Sequence, residues 1–460
     1  MKSHIDEKYK IAEIKLENIT YVIPGGFNAA PYSAELGLWE RPRASSFKGI
    51  WRWWLRASLS GALWKSGRYN SEKVRQVTEN LLGSTSQASK FIIQVTTKLK
   101  REPKCILEEN IREWIKREKN RKKRLRITPK DLFKHLPKEP KIPPIPPRLY
   151  LLLMADEKYG RLAEKLSYYD PNSLEIKLKI LQRPYTRVSP EECRTAIASL
   201  LLSIVLGGIG AITRRGFGSL EIAHIEVYRE DLREYETLVN DRDGMFERLC
   251  QLIEYVLSDA QALLKVKDHG ESSSEIPPHP LLSKPGAPPE DVKPFNLRIV
   301  INLPVPNVTD TEKEAFEMLG FRDYKTMKLL TIIGYSTTKL FWKLVDRRKF
   351  TECGLKWHTW VMGLPRSGRL KLKENRIETG YLSESCGRRI SAISIKPIKC
   401  LNKSSCGVIL YGFLSKDWPR TLYYHSVKKG KPERKEIKPH NEIRDRFVEA
   451  WGKLKKLYRW

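Results

Sequence analysis

Two short segments of this 460-residue chain carry residue types suited to holding a phosphate backbone. The first is the glycine-rich stretch 207–218, in which Arg214 and Arg215 stand side by side. Glycine lets a backbone adopt positive φ and approach a ligand closely, while the planar guanidinium group of arginine fits phosphate oxygens. We therefore predict that this loop contacts a nucleic-acid backbone through Gly208, Gly210, Arg214, Arg215, Gly216, Phe217 and Gly218.

The second segment, residues 45–57, has the pattern of an amphipathic helix that starts at a serine. Its apolar face, at helical spacing, consists of Phe47, Ile50, Trp51, Trp54 and Leu55. Lys48, Arg52 and Arg56 recur every fourth residue on another face, where we expect them to contact RNA or pack beside the glycine loop. Trp54 is predicted to be buried and Trp53 to lie off the buried face. On this interpretation, Arg52→Glu leaves the melting temperature nearly unchanged.

Other interpretations of the glycine-rich stretch fit less well. A dinucleotide-binding fingerprint follows a strand and opens a helix, whereas this loop follows a helical pattern at 190–206 and precedes an alternating strand pattern at 219–227. The RNP1 motif of RNA-recognition domains matches only in its first half, because Ser219 and Ile222 replace its stacking aromatics. A solvated turn whose arginines bind nothing stays open as an alternative.

The overall charge favours a polyanionic partner. The chain has 85 Lys and Arg against 54 Asp and Glu, a formal net charge of +31. Mean hydropathy is −0.48, and no apolar run approaches the ~20 residues that a membrane span requires. The N-terminal residues lack an apolar signal core, so we expect a cytoplasmic protein with no membrane association.

The seven cysteines give little sign of a metal site. Cys386, Cys400 and Cys406 form the only sequence cluster and lack the paired spacing of a zinc ribbon. Buried thiols are the default expectation, and no cofactor is predicted.

The order of the sequence patterns predicts an α+β protein with two ferredoxin-like, RRM-like lobes. In the first lobe, residues 9–269, strand patterns at 10–23, 90–99, 149–154, 174–181 and 219–227 surround helices at 45–57 and 190–206. Residues 100–148 form a basic and proline-rich insertion that is expected to project from the sheet. Residues 270–293 are predicted to be a linker.

The second lobe, residues 294–460, is predicted to begin with a strand at 295–303. Helical patterning covers 311–344, and further strands are expected at 357–364, 389–398 and 408–414. A terminal helix is predicted at 441–460, with one face that suits docking on its own lobe or on a partner subunit.

Taken together, the two segments resemble the RAMP superfamily of CRISPR effector complexes. Residues 45–57 are similar to the first-helix signature of the first subunit of type III-B (Cmr) RNA-targeting complexes, and the glycine loop resembles that of the superfamily. Residues 363–368, with Arg366, resemble the second lobe of the same subunit, as do Arg388, Arg389 and residues 395–398.

This resemblance implies two ferredoxin-like RAMP lobes in a ribonucleoprotein of antiviral defence. It implies contacts to the 3′ side of the CRISPR guide RNA (crRNA), to target single-stranded RNA and to other RAMP subunits. The three arginines Arg366, Arg388 and Arg389 join the expected RNA-binding residues on this basis alone. The family also implies a subunit that carries out no chemistry of its own.

A metal-independent ribonuclease is the main alternative, because some relatives in the superfamily process CRISPR RNA with a histidine. None of the eight histidines pairs at i, i+4 or lies inside the two segments, and His224, after the glycine loop, is the best of weak candidates. A purely structural assembly subunit is the third possibility. We expect no enzymatic activity.

Overall fold

The computed structural model is a mixed α+β fold with antiparallel sheets. It describes residues 8–24, 40–120, 124–138, 141–150, 153, 165–241, 244–267, 275–338, 360–363, 366–372, 375–382, 391–399, 405–428 and 431–459.

Within these ranges, the first part of the chain contains six strands, seven helices and a further helical stretch at residues 147–150. The strands are β1 (Lys10–Asn18), β2 (Phe91–Leu99), β3 (Lys104–Leu107), β4 (Lys165–Tyr168), β5 (Leu174–Gln182) and β6 (Leu220–Val227). The helices are α1 (Ala44–Lys65), α2 (Ser71–Leu82), α3 (Glu108–Lys119), α4 (Pro129–Leu132), α5 (Pro190–Leu206), α6 (Arg233–Asn240) and α7 (Met245–Leu264).

The second part contains, within the described ranges, seven strands and three helices. The strands are β7 (Phe295–Pro304), β8 (Arg366–Leu372), β9 (Asn375–Leu382), β10 (Ile393–Ile398), β11 (Ser405–Phe413), β12 (Leu422–Lys428) and β13 (Lys431–Ile437). The helices are α8 (Asp310–Met318), α9 (Tyr324–Ser336) and α10 (Pro439–Tyr458).

The first sheet has the order β2-β5-β1-β6, with α1 between β1 and β2 and α5 between β5 and β6. This is the predicted strand and helix order of the first lobe. The alternation of apolar and polar residues sets the register between β1 and β5. Ile14 of β1 pairs with Leu178 of β5, and both side chains are buried. The strand predicted at 149–154 is wrong, because residues 147–150 are helical. The strand before β5 is instead β4, which pairs with β3 in a separate small sheet.

Capping and packing position the two main helices on this sheet. The side chain of Ser189 accepts a hydrogen bond from the Glu192 N–H, and Glu192 bonds back, which starts α5 with a capping box. On α1, the indole N–H of Trp51 donates to the Ala196 carbonyl at 2.7 Å, while its ring lies 5.7 Å from that of Phe91. One face of α1 is thereby fixed between α5 and the first sheet.

A second antiparallel sheet, β10-β11-β7, covers the opposite side of the same helices. The ring of Trp54 on α1 lies 5.6 Å from Phe413, 5.9 Å from Tyr411 and 6.5 Å from Phe295. On the other face of this sheet, Val408 and Leu410 belong to a core with α9 and α10. The layers therefore run sheet, helices, sheet, helices, and the second lobe lies directly on the first. Trp54 is buried as predicted, beneath the second sheet.

The basic insertion does not project from the sheet, so that prediction is wrong. Trp114 on α3 is fully buried in a core with Phe316 and Leu330 of the second part of the chain. Arg117 of the basic run forms an ion pair with Glu314 on α8. In the proline-rich segment, the Pro143 carbonyl accepts a hydrogen bond from the Tyr335 hydroxyl at 2.8 Å. The insertion packs between the two halves of the chain.

The described part of the predicted linker packs on α1. Leu282 donates its N–H to the Ala57 carbonyl at 2.9 Å, and its own carbonyl lies against Gly61, where an added Cβ would stand 2.0 Å away. Residues 268–274 of the linker region lie outside the described residues.

Four elements of the second lobe lie where the sequence patterns predicted them: β7, β10, β11 and the terminal helix α10. The helical pattern at 311–344 resolves into α8 and α9, and residues 339–344 are outside the described ranges. The strand predicted at 357–364 is a 3-10 turn at Trp360–Met362, with 357–359 undescribed. Two hairpins that the patterns did not predict form a sheet of order β13-β12-β9-β8.

Trp54 offers a direct test of the contact between the lobes. We expect Trp54→Ala to lower the free energy of unfolding by about 3–5 kcal/mol, because it opens a cavity beneath three aromatic rings of the second sheet. Denaturant unfolding followed by circular dichroism measures the change. Arg56→Ala, an exposed change one half-turn along the same helix, is the control and should shift stability by less than about 0.5 kcal/mol. Equal effects of the two changes would contradict the assigned packing.

Candidate nucleic-acid interface

Lys48, Arg52 and Arg183 form a cluster of cations at the start of α1, which we call the helix-start cluster. Lys48 and Arg52 lie one turn apart on α1, and Arg183 comes from the loop between β5 and α5. Helix α1 starts without a side-chain cap and without an acidic residue in its first turn.

Two of the three cations also anchor the loop between α2 and β2. One guanidinium nitrogen of Arg52 donates to the carbonyls of Leu82 at 2.9 Å and Gly83 at 2.8 Å. From the other side, Nε of Arg183 donates to the Ser89 carbonyl at 2.6 Å. Because Arg52 satisfies two backbone carbonyls, we now expect Arg52→Glu to lower the melting temperature.

Lys48 has no compensating carboxylate within the cluster. Partial burial lowers the pKa of its ammonium group, and the charges of Arg52 and Arg183 lower it further. Across the described residues, no hydrogen bond or ion pair involves the Lys48 side chain. Three like charges held together favour binding of an anion, which would relieve their repulsion. Arg56 continues the same stripe one turn along and is exposed.

The glycine loop is shaped by contacts with the protein itself. Gly210 and Gly218 have φ of +85° and +65°, and an added Cβ would meet the carbonyl oxygens of Ile23 at 2.2 Å and Ile209 at 1.8 Å. Gly208 is buried in the same loop. The glycines are therefore needed for a close approach of one backbone segment to another.

The arginines of this loop point into the second lobe. Arg215 is 8% exposed and donates to the Met362 carbonyl at 3.1 Å. Arg214, half-buried, donates to the Ser391 carbonyl at 2.7 Å and lies over the ring of Trp53 at 5.8 Å. Gly216 abuts Pro397 of β10, and Phe217 is fully buried. Arg215 is therefore engaged between the lobes and is not part of an exposed cationic surface.

Lys396 of β10 is buried at the same junction. Its ammonium nitrogen donates to the Ile204 carbonyl at the end of α5, at 2.6 Å. Burial lowers the pKa of this group to about 7, although the carboxylate of Glu221 acts in the opposite direction. The amine is therefore largely uncharged above neutral pH.

Of the remaining predicted site residues, the structure describes Arg366 but not Arg388 and Arg389. Arg366 begins β8, far along the chain from the helix-start cluster, and Arg388 and Arg389 lie outside the described residues. His224 is exposed on β6, opposite Lys15 of β1. Trp53 is half-buried, with its ring 5.2 Å from that of Phe413.

Metal and cysteine chemistry can be described for part of the chain. Within the described ranges, no group of three His, Cys, Asp or Glu could hold a metal ion. Cys406 is disulfide-bonded, which departs from the default expectation of a free thiol, and Cys386 and Cys400 lie outside those ranges. No described helix is long and apolar enough to cross a membrane.

Residues 43–221, which carry both α1 and the glycine loop, match the RAMP superfamily. This chain carries a RAMP-superfamily domain. The resemblance to the first RAMP subunit of type III-B complexes is confirmed as well. The chain is 24% identical over 281 residues to the CRISPR system CMR subunit Cmr1 of Saccharolobus solfataricus, and the match covers 52% of this chain and 60% of the relative.

One solved structure shares the fold of this chain. A chain in a cryo-EM structure of the Type III-B Cmr-beta, bound to cognate target RNA and AMPPnP in the presence of ssDNA, has a TM-score of 0.51 and 17% identity. The match covers 97% of this chain and 99% of that chain. Apo Cmr1 from Pyrococcus furiosus has a TM-score of 0.45 and 16% identity, with 95% and 96% of the two chains covered.

Sequence reasoning missed Arg183 as a member of the helix-start cluster. Arg183 lies 118 residues after Lys65, the last residue of α1, and no spacing rule connects the two. The one available signal was Arg183-Pro184, a dipeptide typical of a turn, placed just before the cap of α5.

Lys396 makes the contact between the lobes sensitive to pH. From pH 7 to about 10 the unfolded chain carries a proton on Lys396 that the folded chain lacks, so the free energy of unfolding should rise with pH across this window. Lys396→Met should remove up to about 1.4 kcal/mol per pH unit of that slope. Denaturant unfolding at several pH values measures it. Lys399→Met, at an exposed ammonium near Glu221, is the control that should keep the slope.

Proposed function

We propose that the protein is a non-catalytic, RNA-binding subunit of a type III-B CRISPR ribonucleoprotein in antiviral defence, acting in the cytoplasm. In this role it contacts the 3′ side of the guide RNA, helps to capture complementary target RNA and docks on other RAMP subunits. The helix-start cluster carries the proposal, because it gathers three cations without a carboxylate among them. The net charge of +31 supports the same kind of partner.

The similarity to Cmr1 and to a chain of a Cmr complex bound to cognate target RNA supports the assembly part of the proposal. The helix-start cluster is our proposed RNA surface, with Arg56 as its continuation. Arg214 and the exposed Gly210 lie at the rim of the lobe junction and stay predicted contacts. Arg366, Arg388 and Arg389 stay predictions from the resemblance alone.

We also infer that the two lobes, 9–269 and 294–460, derive from one ferredoxin-like unit. The second sheet has the order β10-β11-β7, which repeats the order β2-β5-β1 of the first. Helix α9 then corresponds to α1, and α10 to α5. Within the described residues, no strand of the second lobe corresponds to β6, which follows α5 in the first.

Lys48 separates RNA binding from structural effects. We expect Lys48→Met to weaken binding of single-stranded RNA severalfold and to flatten the dependence of log K on log salt by about one unit per lost phosphate contact. Its melting temperature should stay the same or rise, because the change removes a partly desolvated charge that has no carboxylate partner in the cluster. Fluorescence anisotropy over a salt series measures the binding.

Lys98→Met is the matched control. It removes the same charge from an exposed position near the end of β2, whereas the loop that Arg52 and Arg183 contact lies before the start of this strand. It should leave the salt slope nearly unchanged. If the two variants bind RNA equally well, the cluster is not an RNA site, and a structural assembly subunit becomes the better interpretation. Arg52→Glu is unsuitable as the primary variant, because it also breaks the contacts to Leu82 and Gly83.

The proposal further predicts that RNA survives incubation with the pure protein. Arginine and lysine at the cluster hold phosphates, but arginine remains protonated at neutral pH and is a poor general base. Labelled guide or target RNA should therefore stay intact, with or without divalent metal, on a denaturing gel. Cleavage at a defined position that His224→Ala abolishes would establish the ribonuclease alternative.

A further inference from the structure

Beside the helix-start cluster, Tyr185 is a large aromatic residue in an unfavourable backbone conformation. Its φ is +62°, in the left-handed region, and its side chain is 102% exposed. A bulky residue in this region costs roughly 1–2 kcal/mol relative to glycine. A fully exposed ring regains none of that through packing, so the fold gives no reason for a tyrosine at this position.

The residue occupies the third position of a tight turn. The N–H of Thr186 donates to the Arg183 carbonyl at 3.2 Å, and Pro184 fills the second position, as in a type II turn. Such a turn requires positive φ at its third residue, which glycine normally supplies. Tyrosine therefore stands where the backbone alone would favour glycine.

The turn holds the backbone of Tyr185 in a fixed position. The side-chain amide of Gln182 donates to the Thr186 carbonyl at 2.6 Å, and the Thr186 hydroxyl donates to the Arg183 carbonyl at 2.6 Å. The Arg183 N–H is bonded to the Lys90 carbonyl at 2.7 Å, which ties the turn to β2. With the backbone already ordered, only the side-chain rotamers of Tyr185 lose conformational entropy when a ligand packs on its ring.

The charges around the turn indicate which ligand that is. Arg183 and the exposed Arg187 flank Tyr185, and Arg183 lies close enough to Lys48 to lower its pKa. The carboxylate of Glu192, on the following helix, is bound to Lys90 at 2.6 Å and caps α5. Cations interleaved with an exposed aromatic ring are typical of surfaces that bind single-stranded nucleic acid.

We propose that Tyr185 is a base-stacking residue of the RNA surface, on which an unpaired base lies while Lys48, Arg52 and Arg183 bind the adjacent phosphates. The proposal rests on the function proposed above and adds a contact to the bases, which the cations alone do not make. Stacking of this kind tolerates any base, because every base offers a π-face. Tyr185 is thus expected to add affinity without sequence preference.

Two probes of equal charge test the proposal with the full-length protein: a single-stranded RNA and a strand of the same length made of abasic sugar-phosphate units. Tyr185→Ala should weaken binding of the RNA by roughly 5- to 150-fold and leave binding of the abasic strand unchanged. The salt slope should stay the same, since no charge is removed. Tyr185→Trp should bind the RNA at least as well as the original protein.

Tyr185→Gly controls for misfolding. It relieves the left-handed strain, so its melting temperature should rise, yet it should lose as much RNA affinity as Tyr185→Ala. If Tyr185→Ala binds both strands as the original protein does, the stacking proposal is wrong and the ring serves a protein contact. If the original protein binds neither strand, the proposed function fails together with this inference. Loss of both strands with Lys48→Met, but of neither with Tyr185→Ala, would leave the function and overturn only the stacking role.

Discussion

One face of the second sheet lies on the helices of the first lobe, and most other features of the molecule depend on this contact. Its apolar part surrounds Trp54, whose ring meets three aromatic rings of β7 and β11. Apolar burial is strong but non-directional. The relative orientation of the two packed parts is fixed by hydrogen bonds, chiefly those from Arg215 to the Met362 carbonyl and from Lys396 to the Ile204 carbonyl. Buried donors of this type tolerate only one alignment of the lobes, because any shift would leave them unpaired.

This arrangement limits which surfaces are open to a ligand. Both faces of the second sheet are packed against helices, and the glycine loop is largely enclosed at the junction. The start of α1 remains accessible, because the second sheet covers the helix around Trp54 and leaves the stripe of Lys48, Arg52 and Arg56 at its side. Arg52 and Arg183 also bind backbone carbonyls, which offsets part of the repulsion between the charges collected there.

Local patterns predicted β1, α1, β2, β5, α5 and β6, because alternation in β1 and β5 and the Ser189 cap of α5 are encoded within a few residues. They did not predict α2, α6 or α7. They also identified Trp54 as buried and Lys48 as part of a cationic stripe. They failed where the deciding partner is distant in sequence. Arg215 is indistinguishable by type from a phosphate ligand until Met362 and Ile393 are placed beside it. The insertion likewise has a basic, water-seeking composition, and only the fold shows Trp114 buried against the second lobe.

The burial of Trp54 also has a consequence for biosynthesis. The first lobe completes its sheet with β6, but the strands that cover α1 end at Phe413, roughly 190 residues later. At typical elongation rates of about 5–20 residues per second, the apolar side of α1 stays uncovered for roughly 10–40 s on the ribosome. During that interval the nascent chain presents an aromatic surface to the cell, and the first lobe cannot reach its final state on its own. The apolar side of α1 is therefore covered only after the strands of the second sheet have been synthesised.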